Sequence, residues 1–150
     1  MKHSNAPRPP AMPTLATITI RNLRLRTFIG FNPEETEKQQ DVVINIEIEY
    51  ALGDGVFEDR VEDALNYKVV TKRVIEHVEA GRFLLLEKLV ADVLGICSGH
   101  PSVHRARVAI DKPHALRFAD SVSLALQYVS EPAGQPNFEP HQLRLLEKAS

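Results

Sequence analysis

Lys112 closes a run in which Ala106, Val108 and Ile110 alternate with Arg105, Arg107 and Asp111, the period-two pattern of a strand buried on one face. The lysine falls in phase with the apolar side. An ammonium group half withdrawn from water there loses solvation of its charged form, which draws its pKa towards the range of a general base. Taken alone, a strand-end lysine ordinarily snorkels to solvent instead. Glu87 lies in Leu84-Leu85-Leu86-Glu87-Lys88-Leu89, in the first turn of a predicted helix. A carboxylate there either faces water in the favourable field of the helix end or takes two parallel N–H donors from a flat heterocycle. Tyr67, preceded by Leu65-Asn66 at the start of another predicted helix, either packs or relays a proton through its hydroxyl. Glu35 belongs to a charged loop and reads, by itself, as a solvated carboxylate.

Other arrangements carry less chemistry. His100 and His104 have a four-residue spacing, but Pro101 lies between them and no Cys or carboxylate cluster accompanies them, so no metal site is expected. Ser121, His114 and Asp120 lack the nucleophile elbow that would arm the serine. Phosphate loops and dinucleotide fingerprints are absent, and no cofactor is implied. Cys97 is the only cysteine, flanked by Leu94, Gly95 and Ile96, which suggests a buried thiol in a reducing compartment. With 18 basic against 20 acidic residues and no long basic run, neither nucleic acid nor an anionic membrane is an expected partner. No apolar run reaches the length of a membrane span, and the start of the chain lacks a signal-peptide core, so a cytoplasmic location is expected.

The elements that must position these side chains follow in order. Residues 1–14, with Pro7, Pro9, Pro10 and Pro13, are expected to form a disordered tail, 15–130 one folded domain, and 131–150 a second tail with a short helix near its end. The first strand spans about Leu15 to Thr27; its apolar phase shifts between Ile20 and Leu23, which predicts a bulge near Asn22. Phe31 to Gln40 reads as a loop. Val42, Ile44, Ile46, Ile48 and Tyr50 line one face of a second strand, and Val56 to Leu65 reads as an irregular connection. Helical spacing then predicts helices over Tyr67 to Ala80, with Val70, Val74, His77 and Val78 on its apolar face, and over Leu84 to Cys97. Strands at Arg105 to Lys112 and Ser121 to Tyr128 complete a ββααββ order: an α+β class, an antiparallel sheet with two helices on one face. Its exposed edges favour a closed ring of subunits over a monomer.

The motifs Leu23-Arg24-Leu25-Arg26-Thr27-Phe28-Ile29-Gly30, Leu65-Asn66-Tyr67, Phe83-Leu84-Leu85-Leu86-Glu87-Lys88-Leu89 and Ile110-Asp111-Lys112-Pro113-His114-Ala115-Leu116-Arg117, in this order, resemble the dihydroneopterin aldolase family over roughly Thr17 to Val129. The resemblance implies the tunnelling fold: four subunits close a barrel and two rings stack into a homo-octamer, with active sites between subunits. It also implies a small-molecule pterin substrate. Lys112 then matches the general-base lysine, Tyr67 the tyrosine that assists proton transfer, and Glu35 the loop glutamate that reaches the substrate near another subunit's site. Glu87 matches the glutamate that anchors the amino-pyrimidinone edge, with Leu86 and Asn66 beside the substrate. Where aldolases of the family commonly carry Tyr-His before the glycine, this chain has Phe28-Ile29, which favours the family's epimerase branch.

The implied reaction suits these residue types. A reduced pterin carries a C=N bond next to its polyol side chain, so deprotonating the 2′-hydroxyl breaks the C1′–C2′ bond with the ring as electron acceptor. Re-addition to the other face of a retained aldehyde inverts C2′; escape of the aldehyde is aldolase chemistry, releasing glycolaldehyde. A triphosphate on the fragment would aid retention, and His114 and Arg117 are the expected handle, ahead of Arg24 and Arg26. A non-catalytic pterin-binding or oligomerisation module is the remaining reading, and it would need Glu87 but not Lys112.

Overall fold

A computed structural model describes residues 14–130; the expectations for the two tails fall, Thr14 apart, outside the described residues. Five strands form one sheet in the order β3-β1-β2-β4-β5: β1 Leu15–Ile29, β2 Gln40–Ala51, β3 Arg82–Phe83, β4 Val103–Pro113 and β5 Ser121–Val129. The helices are α1 Pro33–Glu37, α2 Tyr67–Ala80 and α3 Leu86–Cys97, and two short 3-10 turns, Asp54–Glu58 and Val61–Asp63, occupy the irregular connection.

The β1–β2 ladder is antiparallel from Leu15 opposite Ala51 to Thr27 opposite Gln40, and its register breaks between Ile20 and Leu23. Asn22 takes the extra position at φ 54°, a left-handed conformation that asparagine tolerates. Its N–H donates to Asn45 Oδ1 at 3.0 Å, so the bulge is tied to the neighbouring strand. The break returns Leu23 and Leu25 to the face that Ile18 and Ile20 occupy, as the phase shift required.

That face is the core. Val42, Ile44, Ile46 and Ile48 of β2 are fully buried against Val74 and Val78 of α2, Leu89, Val90 and Val93 of α3, and Val108 and Ile110 of β4. Each such side chain contributes about 1.5–3 kcal/mol relative to exposure, which makes this layer the main stabilising term. Cys97 is buried among them, and burial pushes its thiol up to about 12, away from any nucleophilic role at neutral pH. His77 departs from its predicted place on the apolar face: it sits half-exposed at the rim, 5.6 Å from the Phe83 ring, with Nε2 2.8 Å from Asp92 Oδ2.

Two elements differ from the sequence pattern. The loop expected over Phe31 to Gln40 contains α1, whose start has Pro33 in its first turn and the Asn32 N–H donating to Glu35 Oε1 at 3.4 Å. Asn32-Pro33-Glu34-Glu35 is a readable helix-start signature; the charges around it outweighed that signal. Helix α3 begins at Leu86 rather than Leu84 because Arg82 and Phe83 add to the sheet instead, pairing in parallel with Phe28 and Ile29. No described helix is long and apolar enough to cross a membrane.

Candidate active site

The end of β4, the α1 segment and the start of α3 meet around a cavity of about 340 Å³. Lys112 extends the buried phase of Ala106, Val108 and Ile110, so its side chain leaves the sheet on the helix-covered face. Its ammonium group donates to Glu35 Oε2 at 2.8 Å, across 77 positions of sequence, with the two side chains only 12% and 23% exposed. The hydrogen bond from Lys112 holds the Glu35 carboxyl below its ordinary range, against burial, which pushes the other way. Glu35 therefore stays an acceptor and holds the lysine's terminal nitrogen in one place.

Three backbone and side-chain features build that carboxylate's seat. Gly30, at φ 127°, passes so close to Glu35 that any side-chain carbon at position 30 would occupy the space of its carboxyl group. The Gly30 N–H donates to Phe83 O at 2.9 Å, which ties the turn to β3. Gln40 donates through Nε2 both to Ile29 O and, at 3.4 Å, to Glu35 Oε2. Gly30 stands in the first motif without a role legible from the sequence, and nothing in the sequence singles out Gln40.

Opposite this pair lie Leu84, Leu85, Leu86 and Glu87. Leu85 is the N-cap of α3 and supplies no side-chain cap, so the first N–H groups of that helix remain open donors beside the exposed Glu87 carboxylate. Amide donors next to a carboxylate acceptor match a flat ring edge that carries a carbonyl and N–H groups side by side. The leucines supply the apolar surface on which such a ring lies.

Glu35, Leu86, Glu87 and Lys112 thus meet at one cavity. Tyr67, Asn66, His114 and Arg117 are not among its lining. Tyr67 is about half exposed at the start of α2, and the Asn66 side chain caps that helix by accepting from the Val69 N–H at 3.2 Å. His114 lines a separate cleft, and Arg117 is exposed with its guanidinium 5.5 Å from the Phe118 ring.

Residues 18–127 match the family model described as FolB: Dihydroneopterin aldolase. The chain belongs to the dihydroneopterin aldolase family. Within it, the chain is 54% identical over 113 residues to a dihydroneopterin triphosphate 2′-epimerase of Escherichia coli K12, spanning 75% of this chain and 94% of that protein. It is 49% identical over 114 residues to the Pseudomonas aeruginosa protein of the same name, spanning 76% and 93%. The crystal structure of E. coli dihydroneopterin aldolase in complex with neopterin superposes with a TM-score of 0.70 at 26% identity, covering 75% of this chain and 98% of that one. The α+β fold with its five-stranded sheet is therefore that of the family.

Proposed function

We infer that this chain epimerises 7,8-dihydroneopterin triphosphate at C2′ to 7,8-dihydromonapterin triphosphate. The observation that carries this is a lysine–carboxylate pair and a second carboxylate facing one cavity, in a chain about half identical to epimerases across nearly their whole length.

In the proposed mechanism Glu87 takes the amino and ring N–H groups of the pterin, while the open donors at the start of α3 meet its carbonyl; Leu86 lies against the ring. Lys112 is the base that takes the 2′-hydroxyl proton. The C1′–C2′ bond breaks, its electron pair passes into the C=N bond of the reduced ring, and an aldehyde fragment forms. The fragment turns its other face, C1′ attacks again, and the alkoxide recovers its proton from Lys112 with C2′ inverted. Glu35 orients the lysine nitrogen, and no external reductant or oxidant enters the balance. Aldolase activity shares every step up to release of the aldehyde, and the family match keeps it as the second reading.

Tyr67 is assigned to proton transfer, with Asn66 beside the substrate, and both reach a site only if a second copy of the chain brings them to it. A homo-octamer of two stacked tetramers with sites between subunits is proposed on that ground, supported by β5, a nine-residue edge strand. The reduced, buried thiol of Cys97 suits a cytoplasmic setting. Incubation with the triphosphate followed by chromatographic separation tests the activity: the expected product is the 2′-epimer. A released aldehyde as the main product would move the assignment to the aldolase, and unchanged substrate would leave only pterin binding.

A further inference from the structure

Within one protomer, the cavity that holds Lys112 offers a triphosphate no unpaired positive charge. Its ionisable lining consists of the carboxylates Glu35 and Glu87 and the single ammonium of Lys112, which is already paired. An arm carrying several negative charges is repelled there and must leave at the end of β4.

A second cleft, of about 360 Å³, opens at that same strand end. The β2–β4 ladder stops at Val43 opposite Asp111, whereas β2 continues to pair with β1 as far as Gln40. Arg24, Arg26, Asp41, Pro113 and His114 line the gap left where β4 departs. Arg26 is engaged: it pairs with Asp41 at 3.8 Å and donates to Gln39 O at 3.0 Å. Arg24 is exposed and makes no ion pair among the described residues; Asp111 lies across β2 from it on the same face of the sheet, where Asp41 is the carboxylate that lines the cleft. Arg24 lies two strand spacings, about 10 Å, from Asp111, on the face of the sheet opposite to the Lys112 side chain, so the two spaces communicate only round the end of β4.

The turn between the two spaces is unusual. His114 adopts φ 66°, a left-handed conformation that few side-chain-bearing residues take. The reversal puts His114 on the basic cleft and the next residue, Ala115, on the cavity of Lys112. The two spaces therefore share one three-residue turn, Pro113 to Ala115.

We propose that Arg24 and His114, backed by Arg26, form the subsite for the substrate's triphosphate, reached over the turn that follows Lys112. This rests on the epimerase assignment and departs from the sequence expectation in one respect: Arg117 lies on neither space. Holding the arm outside the reacting cavity leaves the aldehyde fragment tethered while it turns, which separates epimerisation from release.

Steady-state kinetics on dihydroneopterin triphosphate and on dihydroneopterin, with wild type, Arg24→Ala/His114→Ala, Arg24→Lys and Arg117→Ala, test the subsite; calorimetric titration with inorganic tripolyphosphate runs alongside. In the double variant KM for the triphosphate should rise at least about tenfold more than KM for dihydroneopterin, the loss expected for one charge-assisted hydrogen bond. Arg24→Lys should retain part of that preference and melt at the wild-type temperature, which keeps loss of the subsite apart from loss of the fold. Equal effects on both substrates, or full reproduction of the loss by Arg117→Ala alone, overturn the subsite. If wild type converts neither substrate, the epimerase assignment falls, and the titration still decides the cleft: binding lost in the double variant upholds it, and binding unchanged removes it.

Discussion

The carboxyl group of Glu35 fills the space that a side chain at Gly30 would occupy, at a backbone φ of 127°. Gly30→Ala should therefore act twice. It adds left-handed strain of about 1–3 kcal/mol and evicts Glu35 from the hydrogen bond with Lys112. Thermal melting should show the first effect. A fall in kcat beyond that of Glu35→Gln would show the second, and a variant with wild-type kcat would separate the Gly30 turn from the site.

Lys112→Ala should abolish turnover while neopterin, titrated by its fluorescence, still binds within a few-fold of wild type, because Glu87 and the α3 donors remain. Retained turnover would remove Lys112 from the mechanism.

Glu87→Gln keeps the shape of the side chain but replaces a two-oxygen acceptor by one acceptor and one donor. Neopterin binding should weaken by about tenfold to a hundredfold, the worth of one charge-assisted hydrogen bond together with the mismatch of the new donor. Affinity unchanged would place the ring elsewhere.

Stability should fall on the acid side in a way that depends on the Lys112–Glu35 bond. Glu35 is held below its ordinary value of 4.5, chiefly by that hydrogen bond, so it contributes stability that is present above pH 4.5 and lost as pH drops through its folded-state value. Asp92, held below 3.8 first by Lys88, adds a similar loss lower down. Melting temperatures of wild type should drop more steeply below pH 4.5 than those of Lys112→Met. Parallel curves would mean that the pair adds nothing to folding.

Mixing tests whether the site is shared between subunits. Lys112→Ala and Tyr67→Phe subunits are each expected to be inactive or nearly so, and co-refolded mixtures should recover activity if Tyr67 serves a neighbour's Lys112. No recovery would return Tyr67 to a packing role.

Much of this was legible in one dimension. Alternation from Val42 to Tyr50 gave the central strand, the slipped phase between Ile20 and Leu23 gave the bulge at Asn22, and the spacing of Val70, Val74 and Val78 gave α2, because burial on one face imposes a period that composition alone records. The short elements left no periodicity to read, although Asn32-Pro33-Glu34-Glu35 signals the start of α1. α1 spans five residues and β3 two, too few for a period to show, and β3 exists only because β1 offers it a partner.

The amino-acid sequence by itself determined which residue types stand where the elements begin and end, among them Lys112, Glu87 and Tyr67; singly those types left packing or solvation open, and only their motifs in order, by resemblance to the family, pointed to acid–base chemistry on a pterin. Only the tertiary structure decided that Glu35 is the carboxylate that meets Lys112, that Gly30 must be bare to let it, and that His114 and Arg117 part company. Pairings across 77 positions depend on where loops close in space, and no local periodicity encodes that.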